Sequence, residues 1–270
     1  MSGASISIEK NQRFSHSILW QLQAEYFERE GINAWNGQVP FFITSNPYIA
    51  YQYAQVIVRF VQDCVKHGYD SNQPFYVVEL GTGSGQFSYY CLHALKTLQA
   101  QLGLTDIKIC YVMTDFTEAN LSFWESQAIL RPFVDDGMLD FALYNLETPE
   151  TIELRHQVLA LTPETLQNPA VLVDNYIFDT VKHDVFRVKN GQLHEALLNA
   201  TCKPGQLKDG KPVKLENIET HFNNQLCHTE GYYENPALNQ VLADYAQTLT
   251  EGSFLSPVGA FHCLEHFEAL

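Results

Sequence analysis

The chain has 270 residues, of which 46% are hydrophobic, enough for one large domain or for one domain with a smaller cap. Its 16 basic against 31 acidic residues give a formal charge of −15, which argues against DNA or RNA as a partner. No run approaches the roughly 20 apolar residues that cross a bilayer, and the first residues lack the basic stretch and apolar core of a signal peptide, so a cytoplasmic protein away from membranes is expected.

In chain order, residues 1–11 read as a loose polar tail. Phe14, Ile18, Leu19, Leu22, Tyr26 and Phe27 recur at helical spacing over 13–30. The stretch GQVPFFITSNP is a linker, with Asn46 and Pro47 placed as cap and first residue of a helix over 47–67 that stops at Gly68. FYVVEL then reads as a strand buried on both faces, 86–102 as a helix, IKICYVMTDF as a strand, and 117–134 as a helix. LDFALYNL is a third strand, TIELRHQVLAL a third helix of this series, and AVLVDNYIF a fourth strand. Strands alternating with helices predict an α/β fold, a doubly wound and mostly parallel Rossmann-like sheet. Asn190-Gly191 between alternating runs predicts a hairpin, followed by a loop-rich stretch. Asn235 caps a helix to about 249, and another begins near Pro257. The expected division is a helical cap over 1–70, a core over 71–182, a hairpin and loop insertion over 183–235, and C-terminal helices over 236–270.

Three glycines, Gly81, Gly83 and Gly85, follow the first strand of this series, where open α/β sheets bind ligands. A dinucleotide fingerprint would need glycine at position 86, which is Gln86, so a nicotinamide oxidoreductase is disfavoured. What stands there is E-x-G-x-G-x-G, the pattern of methyltransferases that bind S-adenosylmethionine. Glu79 precedes the loop, where a carboxylate attracts the cationic end of that cofactor, and Asp115 closes the second strand, where an acid accepts both ribose hydroxyls. Asn145 or Glu147 would meet the adenine amino group; a solvated loop is an equal reading. At the end of the fourth strand, Asp174, Asn175, Tyr176 and Asp179 gather where a methyl acceptor would stand. Asn175 and Asp179 share a face if the chain turns helically there. His183 is a candidate base, although a lone loop histidine is more often a surface residue.

No histidine or cysteine spacing matches a metal site, so no metal is expected. Cys64, Cys91, Cys110, Cys202, Cys227 and Cys263 form no Cys-x-x-Cys pair and read as reduced, mostly buried thiols. Tyr48, Tyr51 and Tyr53 read as core packing before a substrate cage.

Through FFITSNPYIAYQYA, VVELGTGSGQF, YVMTDF and DNYIFDTVKHDVFRV, the chain resembles the MidA-type S-adenosylmethionine-dependent methyltransferases. The mitochondrial members of that family methylate an arginine of a respiratory complex I subunit. The resemblance implies S-adenosylmethionine at Gly81, Gly83, Gly85 and Asp115, with Asn175 and Asp179 lining the acceptor pocket. It implies a methyl acceptor on a protein, arginine included, or a small-molecule nitrogen or oxygen. Where the family has Asn-Glu, this chain has Asn175-Tyr176, one carboxylate fewer to hold a guanidinium. The family's sheet has more strands than the four read here, so its C-terminal strands are expected to be missing. A non-catalytic binding or assembly protein that retains the fold is the alternative, and a homo-oligomer stays open.

Overall fold

The structure is a computed structural model that describes residues 5–35, 42–208, 211–212 and 214–269. The start of the expected polar tail and residues 37–41 of the expected linker lie outside the described residues. The chain divides into two compact units, one formed by Met1–Tyr26 with Val181–Phe261 and the other by Phe27–Thr180 with His262–Leu270.

The second of these holds a four-stranded parallel sheet. Its strands are β1 (Phe75–Glu79), β2 (Ile109–Asp115), β3 (Leu139–Leu143) and β4 (Val171–Val173), in the order β3-β2-β1-β4. β1 is central and buried at every position, which is why it reads as an unbroken apolar run rather than an alternation. Helix α1 (Pro47–Lys66) lays Ala50, Ala54, Ile57, Val58 and Val61 into the core. Helix α2 (Gln86–Leu102) adds Phe87, Cys91, Leu92, Leu95 and Leu98. The expected cap of α1 is present: the Ile49 amide donates to Asn46 Oδ1 at 3.0 Å, and Pro47 opens the helix. This is the α/β architecture expected from the alternation of patterns.

Two expectations for this unit give way. The single helix over 117–134 is broken into α3 (Glu118–Glu125) and a short turn of helix, Arg131–Asp135. Pro132 cannot donate to a helix continuing through it, and Ser126 Oγ takes the Phe123 carbonyl at 2.6 Å. The helix over 151–161 is instead a pair of two-residue strands, Ile152–Glu153 and Ala160–Leu161. The buried Asp140 carboxylate explains this, accepting the amides of His156 and Gln157 at 2.9 Å each. Those amides would otherwise bond within a helix.

The other unit is an antiparallel sheet of five strands. Asp184–Lys189 and Gln192–Cys202 form the expected hairpin, with Asn190 at φ 51° and Gly191 at φ 70° as a two-residue turn needs. Glu251–Ser256 pairs with Asp184–Lys189, and Ile218–Leu226 with Gln192–Cys202. The expected polar tail contributes the strand Ile6–Gln12, paired with the end of Gln192–Cys202. Phe186, Val188, Leu193 and Leu242 form the core here, the last from the helix Pro236–Thr248, whose cap Asn235 accepts from Ala237 N–H at 2.8 Å. All six thiols are unpaired, five buried and Cys227 half-buried. Among the described residues, no helix is long and apolar enough to cross a membrane.

Candidate functional site

The strand order reverses between β1 and β4: the chain runs outward through β2 and β3, then returns to place β4 on the other side of β1. Ligand crevices of open α/β sheets form outside the carboxyl ends of the strands at such a point. The glycine loop leaves β1 there, and Asp174 and Asn175 follow β4.

Gly81, Gly83 and Gly85 have φ of 59°, 59° and 75°, a left-handed region that side chains with a Cβ avoid. A Cβ at Gly81 would lie 2.3 Å from Ile177 Cδ1, and one at Gly83 would lie 2.6 Å from Trp35 Cζ2. The loop is therefore tightly packed as well as tightly turned. The Trp124 indole N–H donates to the Gly83 carbonyl at 3.0 Å, and the Thr82 amide to Thr114 O at 2.8 Å. Gly85 ends the loop as the residue preceding α2.

Asp115 is buried and tied to this loop. Its carboxylate accepts from the Gly83 amide at 3.2 Å, from the Thr117 amide and hydroxyl at 3.0 Å each, and from the Asn120 side chain. Burial raises its pKa, and these donors offset part of the rise. The four donors match the roughly four acceptor sites of a carboxylate. Glu79 is fully enclosed beneath the loop, accepting from Ser88 Oγ and, at 3.0 Å, from the Tyr111 hydroxyl. Burial pushes its pKa up to about 7, with the hydroxyl donors pulling it down and Asp115 adding to the rise.

The remaining residues named from the sequence are spread out. Asn145 is exposed, and its Oδ1 accepts the Glu147 amide at 3.0 Å in a local turn. The Asn175 side chain donates to the Thr44 carbonyl at 3.2 Å, joining the segment after β4 to the segment before α1. Asp174 and Asp179 are exposed. The chain does not turn helically after β4, because Tyr176 takes φ 57°, so Asn175 and Asp179 do not share a helix face. His183 belongs to the other unit, where it is buried, stacked on Trp20 at 6.0 Å, with Nδ1 2.5 Å from the Val181 carbonyl.

Tyr53 packs edge-on against Phe87 at 5.2 Å, as core packing requires, whereas Tyr48 and Tyr51 are exposed. Burial, with Asp174, Tyr176 and Glu79 nearby, raises the Tyr53 pKa. The sequence reading missed Trp35, Thr44, Trp124 and Ile177. Their signal lies in contacts across long sequence separations, which periodicity does not carry.

A family model described as "Putative S-adenosyl-L-methionine-dependent methyltransferase" matches residues 56–256. The chain belongs to this family. The match covers the glycine loop, Asp115 and the segment after β4, and it bears out the resemblance read from those stretches. S-adenosylmethionine is the family's cofactor. Among solved structures, an uncharacterized protein of Burkholderia thailandensis is similar over 86% of this chain and 46% of its own, at 15% identity and a TM-score of 0.39. A second structure from that organism, described as a "likely methyl transferase" bound to S-adenosyl-homocysteine, is similar over 80% of this chain and 42% of its own. Its identity is 15% and its TM-score 0.41. The chain thus spans less than half the length of either structure. No curated protein matches it.

The residues fit the family's cofactor in kind. Three left-handed glycines at the switch point present backbone with no Cβ, and the space a Cβ would take at Gly81 and Gly83 is filled by Ile177 and Trp35. The carboxylate of Asp115 is bonded to the loop itself through the Gly83 amide, whereas that of Glu79 bonds Ser88 and Tyr111; both are buried.

Proposed function

We propose that the glycine loop and Asp115 hold S-adenosylmethionine, and that this unit transfers its methyl group to an acceptor met at the carboxyl ends of β1 and β4. The observation that carries this reading is the loop itself: three glycines in left-handed backbone at the switch point, fastened through Gly83 to the acid that closes β2. The cofactor supplies an activated methyl on a sulfonium, so the protein's task is alignment and exclusion of water rather than activation. Gly81 and Gly83 bring backbone close to the cofactor. Asp115 fixes the loop's shape, and exchange of one of its present donors for a ribose hydroxyl gives it a direct contact as well. Glu79 acts from beneath, holding Ser88 of α2 and Tyr111 of β2 against the loop.

For the acceptor, Asp174, Asn175 and Asp179 offer carboxylates and an amide after β4. An exposed carboxylate such as Asp179 orients a nitrogen nucleophile and stabilises the positive charge that develops on it. An acceptor nitrogen on a protein or a small molecule is the chemistry this set suits. Tyr176, 71% exposed, stands where a second carboxylate would favour a guanidinium, so an amine ranks ahead of arginine.

The test is Asp115→Ala. Loss of a charged hydrogen-bonding group that shapes the loop should weaken S-adenosylmethionine binding by roughly ten- to a hundredfold in a folded variant. Unchanged affinity would remove Asp115 from the site. A wild-type chain that binds the cofactor yet transfers no methyl to amine, guanidinium or hydroxyl acceptors would support the retained-fold alternative instead.

A further inference from the structure

We infer that the strand Ile218–Leu226 is a self-pairing edge through which two copies of this chain associate about a two-fold axis at Phe222. Cys202, Thr201 and Ala200 pair both with Ile6–Gln12 and with Ile218–Leu226, so those two strands occupy opposite edges of Gln192–Cys202. The outer edge of Ile218–Leu226 has no strand partner among the described residues.

Such an edge is ordinarily guarded by a lysine, a proline, a bulge or a short length. This one has none of these. It runs nine residues in unbroken register, IETHFNNQL, with Glu219 its one formal charge at neutral pH. Its even-numbered residues continue a buried face. Leu198, Ala200 and Cys202 are almost fully enclosed, whereas on the edge strand Phe222, opposite Leu198, is 42% exposed and Leu226, opposite His194, is 59% exposed. Phe222 meets Phe14 edge-on at 5.9 Å on one side and is open on the other.

The sequence selects a second copy as the occupant. Antiparallel pairing of the strand with itself about Phe222, its midpoint, sets Phe222 against Phe222 and Ile218 against Leu226. It sets Thr220 against Asn224, Glu219 against Gln225, and His221 against Asn223. Every strand residue is paired, apolar residues meet apolar ones on one face, and the carboxylate meets an amide. A net charge of −15 per copy repels other encounters, but this strand brings no like charges together. A two-fold pairing closes on itself and leaves no further edge to propagate.

The test is sedimentation velocity of the 270-residue chain beside Phe222→Lys, which would set two ammonium groups across the axis. The wild type is expected at twice its 30.7 kDa mass, tightening with added salt, and the variant at the single-copy mass with unchanged circular dichroism. Mild oxidation of Phe222→Cys gives the register. Residues directly opposite place Cα atoms about 4.5–5.5 Å apart, within disulfide reach, so this variant should form a covalent dimer. Asn223→Cys, offset and on the other face, should not. A wild type that stays single at hundreds of micromolar, a Phe222→Lys variant that stays paired, or cross-linking at 223 rather than 222 would each overturn the proposal.

Discussion

Glu79 and Asp115 both close strands and both are buried, yet their surroundings give them different work. Glu79 is enclosed by Ser88 and Tyr111 and titrates near 7, against 4.5 for an ordinary glutamate. A carboxyl whose value is raised on folding binds its proton more tightly in the folded state. Stability from this group is therefore full below about 4.5 and declines as pH climbs to about 7, by roughly 3 kcal/mol at most. Glu79→Gln, uncharged throughout, should flatten that decline in urea unfolding series taken across this range; an undiminished slope would assign it to other groups. Gly83 gives a second residue-scale prediction. With φ of 59° and Trp35 2.6 Å from a built Cβ, Gly83→Ala should cost roughly 1–3 kcal/mol. Part of that cost should vanish in a Trp35→Ala background, as a double-mutant cycle would show. Strictly additive costs would mean that the indole is not what crowds the loop. The glycines and Asp115 were legible in the sequence because their spacing after a strand is local. Trp35 and Ile177 were not, since their approach to the loop depends on the tertiary fold.

Elements with strong periodicity and explicit caps read correctly. Asn46-Pro47 and Asn235 start helices where expected, α2 spans Gln86–Leu102 as its spacing predicts, and Asn190-Gly191 turns the hairpin. The helix read over 151–161 failed because a distant side chain overrode the local pattern. TIELRHQVLAL has helical spacing, but Asp140 of β3, wholly buried, draws the amides of His156 and Gln157 to itself and also accepts that of Phe141 at 2.7 Å. Asp140→Ala would strand these donors, at a cost of roughly 3 kcal/mol or more, concentrated in segment 152–161. Amide hydrogen exchange should lose protection first at His156 and Gln157; protection lost evenly across β1 and β2 would contradict this local role. The strands Ile6–Gln12 and Ile218–Leu226 escaped notice because both carry polar residues on both faces. A half-buried strand announces itself by alternation, and these are edges.

At the scale of the whole molecule, the βα alternation yields the sheet order β3-β2-β1-β4, and that order locates the switch point where the glycine loop meets the segment after β4. The family match over 56–256 includes the left-handed loop and the acid of β2 to which it is tied. The antiparallel unit was only partly legible: its hairpin is local, while its outer strands come from segments far apart in the chain. The central claim is that the loop holds S-adenosylmethionine. Calorimetric titration of the purified chain with S-adenosylmethionine, its demethylated product and NAD tests this most directly. The account predicts micromolar binding of the methyl donor or its product and none of NAD. Binding of NAD in preference, or of none of the three, would contradict it.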